Sequence, residues 1–273
     1  MQQTIDTKQG KETHRDNLFY NYFIMKIKKW DAYLWDCLEI MDSLIEQWIQ
    51  VDAIITDPPY WTTACKWDQI IPFNKMRERL NKLIKPNWAI VLFGSEPFSS
   101  ALRMSNIKQY KYDWIWEKTR WTWFQIIKYK PLNFYENISV FCNWTTYINH
   151  CELRKLDKPI KSWRKKKFWE LIKEWCKNEN QMSEYTNYSR NIIKISSEHN
   201  VWKYKFHPTQ KPVALIEYLI KTYTNEWETV LDFTAGSFTT AMACENTNRK
   251  RICIEKDEWY YNIWIKRVNR DTK

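Results

Sequence analysis

The sequence predicts an α/β protein built on a doubly wound, mostly parallel sheet, and three observations carry that prediction. Short apolar runs of strand length recur along the chain. Segments with 3.6-residue apolar spacing lie between them, and two turn-like motifs stand where predicted strands end. The runs are Val51 to Thr56, Ala89 to Phe93, Trp114 to Trp116, Ile138 to Phe141, Thr229 to Phe233 and Arg251 to Ile254. They are continuous rather than alternating, as strands covered on both faces by helices require. Helix-like segments include Phe73 to Ile84 and Pro212 to Tyr223. In the second, Pro212, Ile216, Leu219, Ile220 and Tyr223 repeat at helical spacing, with Pro212 placed in the first turn and Thr209 as the expected cap.

Composition bounds the rest. A chain of 273 residues with 44% apolar residues has ample material for a core, which excludes global disorder. No apolar run reaches the ~18 residues of a membrane span, and residues 1 to 17 are polar, without the apolar stretch of a secretory signal. A soluble, cytoplasmic protein without a membrane partner is expected. The seven cysteines form no CxxC pair, so neither a disulfide framework nor a zinc centre is expected. A net charge of +11 favours a polyanionic partner.

The chain divides into four stretches. Residues 1–24 read as a flexible arm or a miscalled start, since Met25-Lys-Ile-Lys-Lys resembles a natural beginning. Residues 25–142 and 206–273 carry the α/β pattern. Residues 143–205 interrupt it with 14 Lys+Arg against 7 Asp+Glu and interleaved aromatics. By composition alone this insertion reads equally as a solvated excursion or as a surface that meets phosphates.

The first motif is Asp57-Pro58-Pro59-Tyr60, directly after the run Val51 to Thr56. The carboxyl ends of parallel strands are where such sheets place ligands. The two prolines lack N–H groups and stiffen the backbone. A carboxylate, a rigid carbonyl and an aromatic ring suit a flat ring bearing an exocyclic amino group: two acceptors take its hydrogens and the aromatic stacks on its face. The second motif, Asp232-Phe233-Thr234-Ala235-Gly236-Ser237, joins a predicted strand to a helix amino terminus, as in nucleotide-binding turns. Some twenty residues later the next strand ends at Glu255, where an acid is placed for ribose hydroxyls.

Together the motifs resemble the amino-methylating DNA methyltransferases, adenine-N6 or cytosine-N4, in the circularly permuted beta arrangement. There the catalytic motif comes first, the target-recognition insertion second and the cofactor motif last. The resemblance spans roughly residues 26 to 268. It includes Leu34-Trp35-Asp36-Cys37-Leu38-Glu39, Gly94-Ser95-Glu96-Pro97, Trp114-Ile115-Trp116-Glu117-Lys118 and His207-Pro208-Thr209-Gln210-Lys211-Pro212.

The resemblance implies a Rossmann-like methyltransferase sheet, S-adenosylmethionine as cofactor and double-stranded DNA as substrate. A homodimer and a companion restriction endonuclease are further partners it leaves open. Asp57, Pro58 and Pro59 would form the catalytic turn, with Tyr60 stacked on the target base. Asp36, His207, Thr209, Lys211, Asp232, Phe233, Ala235, Gly236, Ser237 and Glu255 would line the cofactor. Aspartate before Pro-Pro-Tyr leans toward adenine. The base must leave its stack, at a few kcal/mol, to meet the methyl group. Stacking on Tyr60 returns roughly 1–3 kcal/mol of that.

Glycine is the misfit. The chain has 3 glycines and 18 tryptophans, whereas ~7% glycine would give roughly nineteen. Tryptophan stands at family glycine positions 35, 61, 88 and 227, and 48, 121, 123, 202 and 264 fall at similar turns or termini. Trp67, Trp114 and Trp116 stand where the family accepts aromatics. With positions 30, 144, 163, 169 and 175 added, fourteen tryptophans and three glycines together approach the ordinary glycine content. The expectation is that many are glycines in the working protein, because UGA specifies Trp in some genetic codes and Gly in others. Phe238, where the family has glycine, has no such origin. It and Trp61 motivate the alternative of a catalytically impaired DNA-binding protein of this fold.

Overall fold

The computed structural model describes residues 30–61, 68–122, 127–129, 131–161, 182–196 and 209–271. The strands are β1 (Trp30–Leu34), β2 (Val51–Thr56), β3 (Ile84–Gly94), β4 (Tyr110–Thr122), β5 (Asn133–Phe141), β6 (Arg154–Lys161), β7 (Met182–Thr186), β8 (Ile192–Lys194), β9 (Thr229–Asp232) and β10 (Lys250–Glu255). The helices are α1 (Cys37–Glu46), α2 (Phe73–Leu83), α3 (Phe98–Met104), α4 (Val213–Tyr223), α5 (Thr239–Asn246) and α6 (Glu258–Asp271).

Eight strands form one sheet in the order β1-β10-β9-β2-β3-β5-β4-β8. The first five of that order run parallel, and β5 lies antiparallel between β3 and β4. Every residue of β2 is buried, which is why its sequence shows no alternation. One apolar cluster packs Ile54, Ile90 and Leu231 against Met41, Leu44 and Leu80 from α1 and α2. On the other face, Ala53, Ile55 and Val91 meet Leu215, Ile216, Leu219 and Tyr223 of α4. Each predicted strand is present. The sequence reading missed β1, β6, β7 and β8, which are short or polar; β8 buries only Ile193.

Within residues 143–205, β6 and β7 pair as a separate antiparallel ribbon bearing exposed Arg154, Lys155 and Lys158, while β8 joins the main sheet beside β4. Helix α4 begins differently from expectation. Pro212 itself occupies the cap, with extended backbone and no side-chain cap bond, so Thr209 does not cap it. Among the described residues no helix is long and apolar enough to cross a membrane.

The tryptophans divide by backbone conformation. Trp48 follows α1 with φ 56. Its N–H donates to the Ile45 carbonyl and that of Ile49 to the Leu44 carbonyl, both at 3.0 Å, forming a Schellman termination whose left-handed position favours glycine. After α5 the same pair of bonds surrounds Asn248, φ 57, a residue type that accepts this conformation. Trp61 (φ 58) and Trp227 (φ 68) are also left-handed and exposed. Trp35 and Trp88 are not left-handed: Trp88 lies inside β3, and Asn87, φ 67, takes the left-handed position beside it. Trp264 lies within α6 rather than at a turn or terminus, buried and stacked on Phe238 at 5.3 Å. Trp121 lies within β4. Trp67, Trp123, Trp163, Trp169, Trp175 and Trp202 lie outside the described residues.

Phe238 precedes α5 with φ 59, and its ring is wholly buried among Ala235, Ala241, Cys253 and Trp264. The side chain is core, filling space between α5, β10 and α6.

Candidate active site

Strand order brings β9 beside β2 although 172 residues separate the strands' ends, Thr56 and Thr229 being 173 positions apart in the sequence. From β2 the chain steps to β3 on one side, and from β9 to β10 on the other. Their carboxyl ends therefore meet where the order reverses, and open α/β sheets leave a crevice there. The two motifs are laced together. Thr56 donates its hydroxyl to Asp232 at 2.6 Å and lies 2.7 Å from the Thr234 hydroxyl, which donates to the Asp57 carbonyl at 3.1 Å.

The Asp57–Tyr60 turn is braced by Asp68, whose buried carboxylate accepts the N–H groups of Tyr60 and Trp61, both at 2.8 Å. Asp68 was missed by sequence reasoning because no spacing marks it. Pro58 is buried, and Pro59 and Tyr60 are partly buried. The Tyr60 ring lies 5.0 Å from that of Phe98, inclined at 34°. Both Asp57 oxygens have donors: the Tyr60 hydroxyl on one and the Lys211 ammonium on the other. Burial pushes the Asp57 carboxyl up. Lys211 opposes this and Glu136 reinforces it, leaving the group above the ordinary carboxylate value. Burial, then the negative charge of Asp57, lifts the Tyr60 hydroxyl well above its usual range.

Lys211 reaches past Asp57 to a second buried acid. Its ammonium lies 3.3 Å from Glu136, which pairs at 2.5 Å with Lys118. Glu136 sits on β5 opposite Trp116 of β4, a register not visible in the sequence. Burial alone raises the Glu136 carboxyl, but Lys211 and Lys118 together hold it below the ordinary value.

The second motif forms the adjoining wall. Buried Asp232 accepts from Thr56, from the Thr234 N–H at 3.2 Å and from the Thr240 hydroxyl at 2.5 Å. Burial still pushes its carboxyl up to about 6. Gly236, φ 53, gives its N–H to Glu255 at 2.7 Å, and Ala235 gives its own to the Ile254 carbonyl. These amides are therefore engaged within the protein, unlike those of a phosphate-binding turn. Glu255 also accepts the Asp257 N–H at 2.8 Å, and burial pushes its carboxyl up to about 7. Asp36 caps α1 by accepting the Leu38 N–H at 2.9 Å and pairs with Lys256 at 3.1 Å.

Other expected positions fare differently. Phe233 buries its ring in the core, so only its main chain is available to a ligand. Ala235 and Ser237 are buried in the turn, Thr209 is exposed, and His207 lies outside the described residues.

The sequence profile of a family described as "DNA methylase", covering N6 and N4 methyltransferases, matches residues 51–266. The chain is 27% identical over 244 residues to Type II methyltransferase M2.LlaDCHI of Lactococcus lactis subsp. cremoris, covering 81% of this chain and 82% of that one. It is 40% identical over 67 residues to DNA adenine methyltransferase YhdJ of Escherichia coli strain K12, covering 24% of this chain and 23% of that one. Among solved structures, the M1.HpyAVI–SAM complex superposes with TM-score 0.59 at 26% identity, covering 88% of this chain and 98% of the other. PvuII DNA methyltransferase, cytosine-N4-specific, superposes with TM-score 0.59 at 17% identity, covering 86% and 85%, a likeness of fold.

Proposed function

Because the chain belongs to this DNA methylase family, we propose that it methylates the N6 amino group of adenine, flipped from duplex DNA, with S-adenosylmethionine as methyl donor. The observation that carries this is the junction of the two motifs, where Thr56 and Thr234 tie Asp57 to Asp232 across the crevice.

The residues present suit such a cofactor. A sulfonium is a cation, and the walls offer the carboxylates of Asp36, Asp232 and Glu255. Each Glu255 oxygen holds one N–H and keeps a second lone pair for a ribose hydroxyl. Bound there, the cofactor supplies an electrophilic methyl group. Asp57 and the Pro58 carbonyl accept the two amino hydrogens of the base, and Tyr60 stacks on its ring. Acceptors placed in advance stabilise the positive charge that grows on that nitrogen without reorganising solvent. Holding donor and acceptor in line supplies much of the remaining acceleration.

Aspartate at the head of the motif supports adenine, as does the likeness to a relative named as an adenine methyltransferase. Cytosine-N4 is the alternative target. The burial of the Phe238 ring in the core weighs against one of the two reasons for a catalytically impaired protein. The basic ribbon β6–β7 is assigned to DNA contact, and the type II designation of M2.LlaDCHI supports a companion endonuclease. The test is transfer of labelled methyl groups to unmethylated DNA, followed by nucleoside analysis. Methylated adenine is expected. Methylated cytosine selects the alternative, and DNA binding without transfer overturns the enzymatic reading. Asp57→Ala is expected to abolish transfer and spare cofactor binding, and retained transfer removes Asp57 from the mechanism.

A further inference from the structure

We propose that Glu136, fixed by Lys118, is a positioning residue that shares Lys211 with Asp57 and so keeps the ammonium from settling on Asp57 alone when the target amino group arrives. The proposal rests on the reading of Asp57 as the acceptor for that amino group.

The Lys211 ammonium stands between two buried carboxylates. Each Asp57 oxygen holds one donor, Tyr60 on one and Lys211 on the other, and keeps a second lone pair for a hydrogen of the target amino group. A buried ammonium does not leave one carboxylate unless another anion receives it, because an uncompensated buried charge is strongly destabilising. Glu136 supplies that anion. One of its oxygens is held by Lys118 at 2.5 Å. The other, Oε2, is buried and lies 3.3 Å from the Lys211 ammonium. An ammonium carries three N–H donors, so Lys211 serves both carboxylates at once, and the share each takes depends on what else holds Glu136. A shift of that share needs little movement and leaves the total charge unchanged: two carboxylates and two ammonium groups before and after. Rings of Tyr60 and Phe93, 5.8 and 5.2 Å from the Lys211 nitrogen, flank it throughout.

The charged and titratable groups around Asp57 are Lys211, Glu136, Tyr60 and, through the crevice, Asp232. Glu136 pushes the Asp57 carboxyl up and Lys211 pulls it down. Transfer needs ionised Asp57, so its titration forms the acid limb of the pH–rate profile. Removing the charge of Glu136 lowers that limb and leaves Lys211 bound to Asp57 alone. Removing Lys118 does the reverse: Glu136 draws Lys211 more strongly, and the limb rises.

The experiment is methyl transfer to unmethylated DNA as a function of pH, with cofactor affinity measured alongside. E136Q is expected to lower kcat by about 10–100-fold, the scale of a small misplacement at a reacting centre. Its cofactor affinity is expected to match wild type while the acid limb of kcat/KM moves to lower pH. K118M is expected to move that limb to higher pH. Limbs that coincide with wild type, or move together in one direction, overturn the proposal. If E136Q does not fold, Glu136→Asp, which withdraws the carboxylate from Lys211, carries the same expected kcat loss, and full activity overturns the proposal. Absence of transfer by the wild type overturns the underlying reading as well. Transfer with unshifted limbs overturns the sharing of Lys211 alone.

Discussion

Replacing Trp48 by glycine is expected to stabilise this protein, an unusual outcome for deleting the largest side chain. Trp48 closes α1 at the left-handed position of a Schellman termination, with φ 56. An L-residue there costs about 1–2 kcal/mol. Glycine does not, and it remains ahead by about 1 kcal/mol after allowance for its greater freedom in the unfolded chain. The opposing term is burial. Trp48 is 92% exposed, so only a small part of the ~150–250 Å² a tryptophan can bury is covered, worth at most about 0.5 kcal/mol. The net gain is about 0.5–1 kcal/mol, or roughly 1–4 °C in Tm for a chain of this size.

Thermal unfolding followed by circular dichroism measures it, with Trp48→Ala as the control. Alanine removes the same ring and keeps the strain, so W48A is expected at or slightly below wild type. If W48G melts at or below W48A, backbone strain at this position is not what distinguishes it. Trp227 provides the contrast. It has a similar φ of 68 but is 61% exposed, and the larger covered area offsets the strain, so W227G is expected near neutral.

Further predictions concern the core, the turn and the gene. Phe238→Ala is expected to lower stability by about 3 kcal/mol in chemical denaturation, because the ring is wholly buried. Phe238→Gly is expected to recover about 1 kcal/mol of that by relaxing φ 59, and a variant more stable than wild type refutes the packing described. Glu255 is raised by folding to about 7, so it binds more protons folded than unfolded. Its contribution is full below the unfolded value of about 4.3 and is lost as pH rises through about 7. The stability difference between wild type and E255Q, followed by urea denaturation, is therefore expected to move against wild type across that window; a difference independent of pH removes Glu255 as the cause. If tryptophan stands for glycine through codon assignment, codons 48, 61 and 227 are UGA and codon 264 is UGG. Mass spectrometry of protein from the source cell then finds glycine at the first three, whereas UGG at those three codons sinks the idea.

Much of the fold was legible because its signal is local. Continuous apolar runs marked β2, β3, β5, β9 and β10, and helical spacing marked α2 and α4. The chemistry of Asp57-Pro58-Pro59-Tyr60 and of the Asp232–Ser237 turn followed from residue types within a few positions. The glycine deficit was legible as well, but not its distribution: φ values assign the left-handed positions to Trp48, Trp61 and Trp227, move one from Trp88 to Asn87, and make Trp264 core.

What tertiary structure alone decided is which distant polar groups share a dry space. Thr56 meets Asp232 because β9 lies beside β2, and Glu136 meets Lys118 and Lys211 because β5 returns against β4 in one register. Apolar periodicity reports that a side chain is buried, since burial is nearly independent of which neighbour covers it. A buried charge is different: its energy depends on the partner at two or three ångströms, and strand order and register choose that partner.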